Sequence, residues 1–157
     1  MVEFALVSMT LMVIVLGMID FSYLFLARSS ALQATRAAAR FAAVHPTAWT
    51  AVAPIDRNTI EGNLKLSAVP ASISNIDADM VITYLMPGGV AAPVLCGKYL
   101  ASTGFVGQNS YSQAGCVKPG NLVNVQARYH YTFITPMLKS TFTNLLITTD
   151  ATSLIEA

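Results

Sequence analysis

From Phe4 to Ala27 the chain reads FALVSMTLMVIVLGMIDFSYLFLA, an apolar run whose one charge is Asp20. As a helix this stretch would be about 36 Å long, against a bilayer hydrocarbon core of about 30 Å. A helix apolar on every side predicts burial on every side, in a membrane or in a bundle of its own copies. After Ala27 the pattern changes without breaking the helix. Residues Arg28 to Val44 (RSSALQATRAAARFAAV) are strong helix formers, with Leu32, Ala39 and Ala43 at helical spacing and Arg28, Arg36 and Arg40 along one side. That is the pattern of a helix leaving an apolar phase and packing on a domain. His45-Pro46 supplies the stop. One helix from about Val2 to Val44 would be about 63 Å long, so half of it must project from a domain of this size.

Beyond Pro46 the pattern is that of a small mixed domain. Asp56 is placed to cap a short helix through Ser67 that Pro70 ends. Met80 to Met86 (MVITYLM) predicts a strand, Pro87-Gly88-Gly89 a turn, and Val90 to Cys96 a returning strand. Residues 101–120, rich in Gly, Ser, Gln and Asn, read as an exposed loop. Leu122 to Ile134 alternates, with Val123, Val125, Ala127, Tyr129, Tyr131 and Phe133 on one face and Asn124, Gln126, Arg128, His130 and Thr132 on the other. Its apolar face is expected against the second half of the long helix. Pro136 turns the chain, and Leu145 to Leu154 returns antiparallel. The expected fold class is α+β: a long N-terminal apolar helix (about 2–44) packed on a small antiparallel sheet of three or four strands. The division is a transmembrane or filament-core helix over 1–45 and a globular head over 46–157.

Composition sharpens this outline. The 157 residues are 54% hydrophobic and 11% charged with mean hydropathy +0.56; soluble domains carry about 25% charge. A net charge of +1 gives no electrostatic case for nucleic acid. Two cysteines, Cys96 and Cys116, with no His cluster near them, do not make a four-ligand zinc site. If the head lies outside the cytoplasm they read as a disulfide worth roughly 3 kcal/mol; the alternative is two buried free thiols. No basic region precedes the apolar run and no small-residue cleavage site follows it, so it is not a standard secretory signal; either the chain starts here or a leader has been removed.

Catalytic patterns are missing from the sequence: no Gly-rich phosphate loop and no Ser-His-Asp or Cys-His order. His45 reads as helix-end chemistry and His130 as solvent-facing. Asp77 and Asp79 offer two carboxylates, too few for a calcium site by themselves. An enzyme is therefore the least favoured class, and no cofactor is implied.

Two acids and one arginine stand out in the helix. Glu3, at its start, either favours the macrodipole or pairs with the α-amino group of a neighbouring subunit. Asp20 is either a protonated or water-reached carboxyl near a membrane face, or a partner for Arg28 of a neighbour. Eight residues separate Asp20 from Arg28. They cannot meet within one straight helix, but would meet between parallel helices staggered by about 12 Å.

The stretches VEFALV (Val2–Val7), GMIDFSYLFLAR (Gly17–Arg28) and ALQATRAAARFAAV (Ala31–Val44) resemble the N-terminal signature of TadE-like pilins and pseudopilins, the tight-adherence branch of the type IV pilus superfamily. The tail, VNVQARYHYTFITPML followed by ATSLIEA, is similar as well, whereas about 46–120 matches no family pattern. The resemblance implies a short leader removed by a prepilin peptidase, an inner-membrane precursor held by the apolar helix, and export by pilus assembly machinery. It implies that Glu3, followed by Phe4, is the glutamate that assists assembly, although the family places it further into the mature chain. A filament-forming pilin for adhesion is the leading expectation. A membrane-retained minor pseudopilin and a single-pass anchored binding domain are the alternatives.

Overall fold

In the computed structural model, the described residues are 2–50, 56–68, 80–88, 92–108, 110–135, 139–140 and 145–156. The chain is an α+β structure. Helix α1 (Val2–Val44) is followed by α2 (Ile60–Ser67), strands β1 (Met80–Met86), β2 (Val94–Leu100) and β3 (Gly104–Gly107), a one-turn helix α3 (Gln113–Cys116), and strands β4 (Leu122–Tyr131) and β5 (Leu145–Leu154). The strands form one antiparallel sheet in the order β3-β2-β1-β4-β5.

The alternation in β4 survives intact: Val123, Val125, Ala127, Tyr129 and Tyr131 are buried, and Phe133 continues the buried row past the strand end. In register, Val125 lies between Ile82 of β1 and Ala151 of β5. This face meets the second half of α1 through a stripe of small residues, Ala27, Ala31, Ala34, Ala38 and Ala42, all buried. Their spacing of three and four keeps them on one side of the helix, and a stripe of methyl groups lets the helix backbone approach the sheet closely. Thr35 in the same stripe is buried and satisfied, its hydroxyl 2.7 Å from Ala31 O and 2.8 Å from Thr149 Oγ1 of β5. Arg28, Arg36 and Arg40 are exposed on other sides of the helix. The end of α1 is tied to the tail by the Glu156 amide, which donates to Ala43 O at 3.0 Å.

Four sequence expectations change. The sheet has five strands rather than three or four. The returning strand runs Val94–Leu100 rather than Val90–Cys96, and Val90 lies outside the described residues. Shifting it seats Cys96 in the core and pairs Gly97 with Gly107. The loop expected at 101–120 contains β3 and α3. The Phe105 ring lies directly over position 97: a Cβ there would come 2.4 Å from it and push the ring aside. Lastly, the cap of α2 is Thr59, whose hydroxyl accepts from Gly62 N at 3.0 Å; Asp56 instead accepts from Asn58. A Cβ at Gly62 would lie 1.6 Å from Asp56 O, so the chain before the helix folds directly over its first turn. Gly89, Pro70, Pro136, Asp77 and Asp79 lie outside the described residues.

The far corner of the core is aromatic. Trp49 stacks on Tyr99 at 4.2 Å and donates Nε1–H to Tyr84 Oη at 2.7 Å, and Tyr84 donates to Pro46 O. Burial pushes the Tyr84 phenol up to about 12, the Trp49 bond opposing it. Cys96 and Cys116 form a disulfide with Cα atoms 5.5 Å apart, which closes β2, β3 and α3 into one loop.

Candidate functional site

The feature that separates this chain from an ordinary small domain is the lower half of α1. From Phe4 to Ile19 the large apolar side chains stand exposed, Phe4 at 80% and Met9 at 72%. This is a helix long and apolar enough to cross a membrane, and almost none of its most apolar stretch is buried within the chain. It is not the hidden core helix of a globular domain. Glu3 and Phe4 lie exposed at its tip.

The head takes hold of the helix at Asp20. Its side chain is fully enclosed by its own chain. One carboxylate oxygen accepts from Ile134 N at 3.1 Å; the other accepts from Thr135 N at 3.2 Å and from the Thr135 hydroxyl. The Tyr131 hydroxyl donates to Asp20 O at 3.2 Å, and the Tyr131 ring faces Tyr23 at 6.2 Å. A carboxylate fed by two backbone amides and a hydroxyl is well compensated for its burial. The segment after β4 thereby grips α1 at the point where a helix exposed on every side becomes one with a buried face. The sequence gives Asp20 two readings, neither of which is this clamp, because its partners lie 114 and 115 residues away.

Arg28 does not meet Asp20 in the chain. It is exposed two turns higher and lines an apolar groove of about 380 Å³ with Phe21, Leu24, Phe25, Leu145, Ile147 and Thr148. Behind the groove is Tyr129, buried and without a hydrogen-bond partner for its hydroxyl among the described residues. Burial raises its phenol, and the Arg28 charge opposes that rise. His45 packs its ring near Phe41 at 4.9 Å at the end of α1, and His130 is exposed on β4. Among the described residues no group of three or more His, Cys, Asp or Glu is placed to hold a metal. The arrangement offers a mechanical join and a large apolar contact surface.

Residues 1–40 match the family model described as TadE-like protein, a segment that takes in the exposed part of α1 and most of the N-terminal stretches that carry the resemblance. Neither the curated proteins nor the solved structures give a match to the chain.

Proposed function

We propose that the chain is a structural pilin subunit that polymerises through α1 into an extracellular Tad-type filament for adhesion or surface contact, from a precursor held in the inner membrane. The observation that carries this reading is the exposed apolar surface from Phe4 to Ile19 on a helix whose other half is fixed in a folded head. Such a surface needs either lipid or copies of itself. In the bilayer, exchange of lipid for neighbouring helices relies on close packing and polar pairs. Once in water, the same helices gain about 25 cal/mol for each Å² of apolar surface buried. A head-to-tail contact that does not close grows as a helical polymer.

Glu3 and Phe4 at the tip and Arg28 beside the groove are the residues proposed to act in assembly, with prepilin peptidase and pilus assembly machinery as partners. Asp20 would serve assembly by holding the head at one level on the helix. A membrane-retained pseudopilin shares the matched segment, and it differs from the first reading in forming no long filament. Electron microscopy of material sheared from cells, labelled with antibody to the head, distinguishes them. Decorated filaments are expected; protein found solely as membrane-bound monomer contradicts the proposal.

A further inference from the structure

The base of the head carries exposed apolar residues that the fold does not use. Ile134 is 62% exposed although its own amide donates to Asp20. Leu145 and Leu146, at the first two positions of β5, are exposed on opposite faces of the sheet, Leu145 on the helix side beside the exposed Phe21 and Phe25. The clamp brings these together: Ile134 and Thr135 bond to Asp20, and Tyr131, which also bonds to Asp20, pairs across the sheet with Leu145. The collar is continuous with the exposed apolar helix below it.

We propose that this collar is a second membrane-contact surface, with Ile134, Leu145, Leu146, Phe21 and Phe25 entering the headgroup layer of the bilayer while Arg28 and Lys139 meet lipid phosphates. It rests on the reading of α1 as a membrane span. Seventeen helical steps separate Glu3 from Asp20, about 26 Å, close to the thickness of the hydrocarbon core. A span that begins at Glu3 therefore reaches the far face of the hydrocarbon near Asp20, and the collar stands at the depth where headgroups begin. Tyrosine favours that depth, and Tyr23 occupies it between the exposed Phe21 and Phe25. The charges agree. Arg28 borders the groove shared with Phe21, Phe25 and Leu145, and helix side chains lean toward the N-terminus, here toward the membrane. Lys139 is exposed one turn past Thr135, its amide donating to Thr135 O at 3.0 Å. The acid at this level, Asp20, is enclosed and shows no charge to the lipid. Cations above an apolar collar can reach down to lipid phosphates while their stems cover apolar surface. Seated this way, the head stands upright on the membrane.

The test uses the full chain in vesicles of phosphatidylethanolamine and phosphatidylglycerol. An environment-sensitive fluorophore is attached at Ile134→Cys, at Ile14→Cys in the middle of the span, or at Glu156→Cys at the far end of the head; the native cysteines are joined and do not react. Nitroxide lipids carrying the label at the headgroup or deep in the acyl chain act as quenchers. The position 14 probe is expected to respond to the deep label, position 134 to the headgroup label, and position 156 to neither. Arg28→Glu with Lys139→Glu should reduce headgroup quenching at 134 at least twofold while leaving position 14 unchanged, and Arg28→Lys with Lys139→Arg should retain it. A position 134 probe quenched by aqueous iodide and by no lipid label, with position 14 still in the bilayer, overturns the collar alone. Shielding of position 134 from both iodide and lipid means that a second copy covers it, which also overturns the proposal. A position 14 probe outside the bilayer removes the membrane span itself, and the collar with it.

Discussion

Removal of the disulfide is the perturbation whose size the structure fixes best. Cys96 sits fully buried in β2, and Cys116 ends α3, also fully buried, with 20 residues of separation. In the chain-entropy model a loop of that length restricts the unfolded chain by about 3 kcal/mol. What the loop encloses is weakly held otherwise. β3 is a four-residue edge strand, α3 is a single turn, and the described residues between are exposed. Cys96→Ala with Cys116→Ala should therefore destabilise the head by about 3 kcal/mol, which for a chain of 157 residues lowers the melting temperature by about 10 °C. Circular dichroism melting of the full chain in detergent, with and without reductant, measures it. Reductant should shift the native chain by the same amount and leave the double variant unmoved. Melting temperatures within 2 °C of each other in all four samples would refute the reasoning, because β3 and α3 would then be held without the cross-link.

Two further perturbations address the helix clamp and the aromatic corner. Asp20→Ala leaves two backbone amides and a hydroxyl without their acceptor, so the Ile134 and Thr135 amides should exchange with deuterium roughly tenfold faster or more, and Asp20→Asn should fall between. Unchanged exchange at both amides counts against the clamp. At Tyr84 the folded phenol titrates at about 12 against an unfolded value of 10.0. The raised value means that its contribution is complete below pH 10 and is lost as pH rises through about 12. The stability difference between the native chain and Tyr84→Phe should be flat below pH 10 and shrink by up to about 1.4 kcal/mol per pH unit above it; denaturant titrations giving parallel curves to pH 12 would contradict this.

How much of this was legible in the sequence follows the range of each signal. The continuous apolar run and the alanine-rich stretch after it gave α1 its bounds, because helical periodicity is local and repeated over many turns. The alternation from Leu122 gave β4 and its buried face, and Leu145–Leu154 gave β5. β3 left no trace, since four residues flanked by Gly104 and Gly107 carry neither length nor alternation. The register of β2 was hidden for a related reason. Its core positions include Cys96 and Gly97 side by side, and a bulge in its pairing between Tyr84 and Leu85 breaks the period of two. At α2 the sequence points to Asp56 as the cap, and Thr59 takes that place because the chain folds back over Gly62. The clamp was the largest gap. Asp20 stood out as a charge in an apolar helix, and the cost of such a charge correctly demanded a partner. Nothing local points to Ile134 and Thr135 as that partner. The one hint was an apolar-polar pair, Ile134-Thr135, placed just after the strand that packs on the helix.

The clamp also changes the length that matters. Read alone, the apolar run extends to Ala27, but the head begins at Asp20, so the free segment is shorter and sits close to one bilayer thickness. The same segment that fits lipid before assembly is the one proposed to fit other copies afterwards. A nitroxide on Ile14→Cys reports that exchange directly, in vesicles and in sheared filaments. High oxygen accessibility is expected in vesicles, then loss of that accessibility and spin–spin broadening between neighbouring labels in filaments. A label in filaments that stays open to a water-soluble relaxation reagent, with no broadening, would contradict assembly through α1.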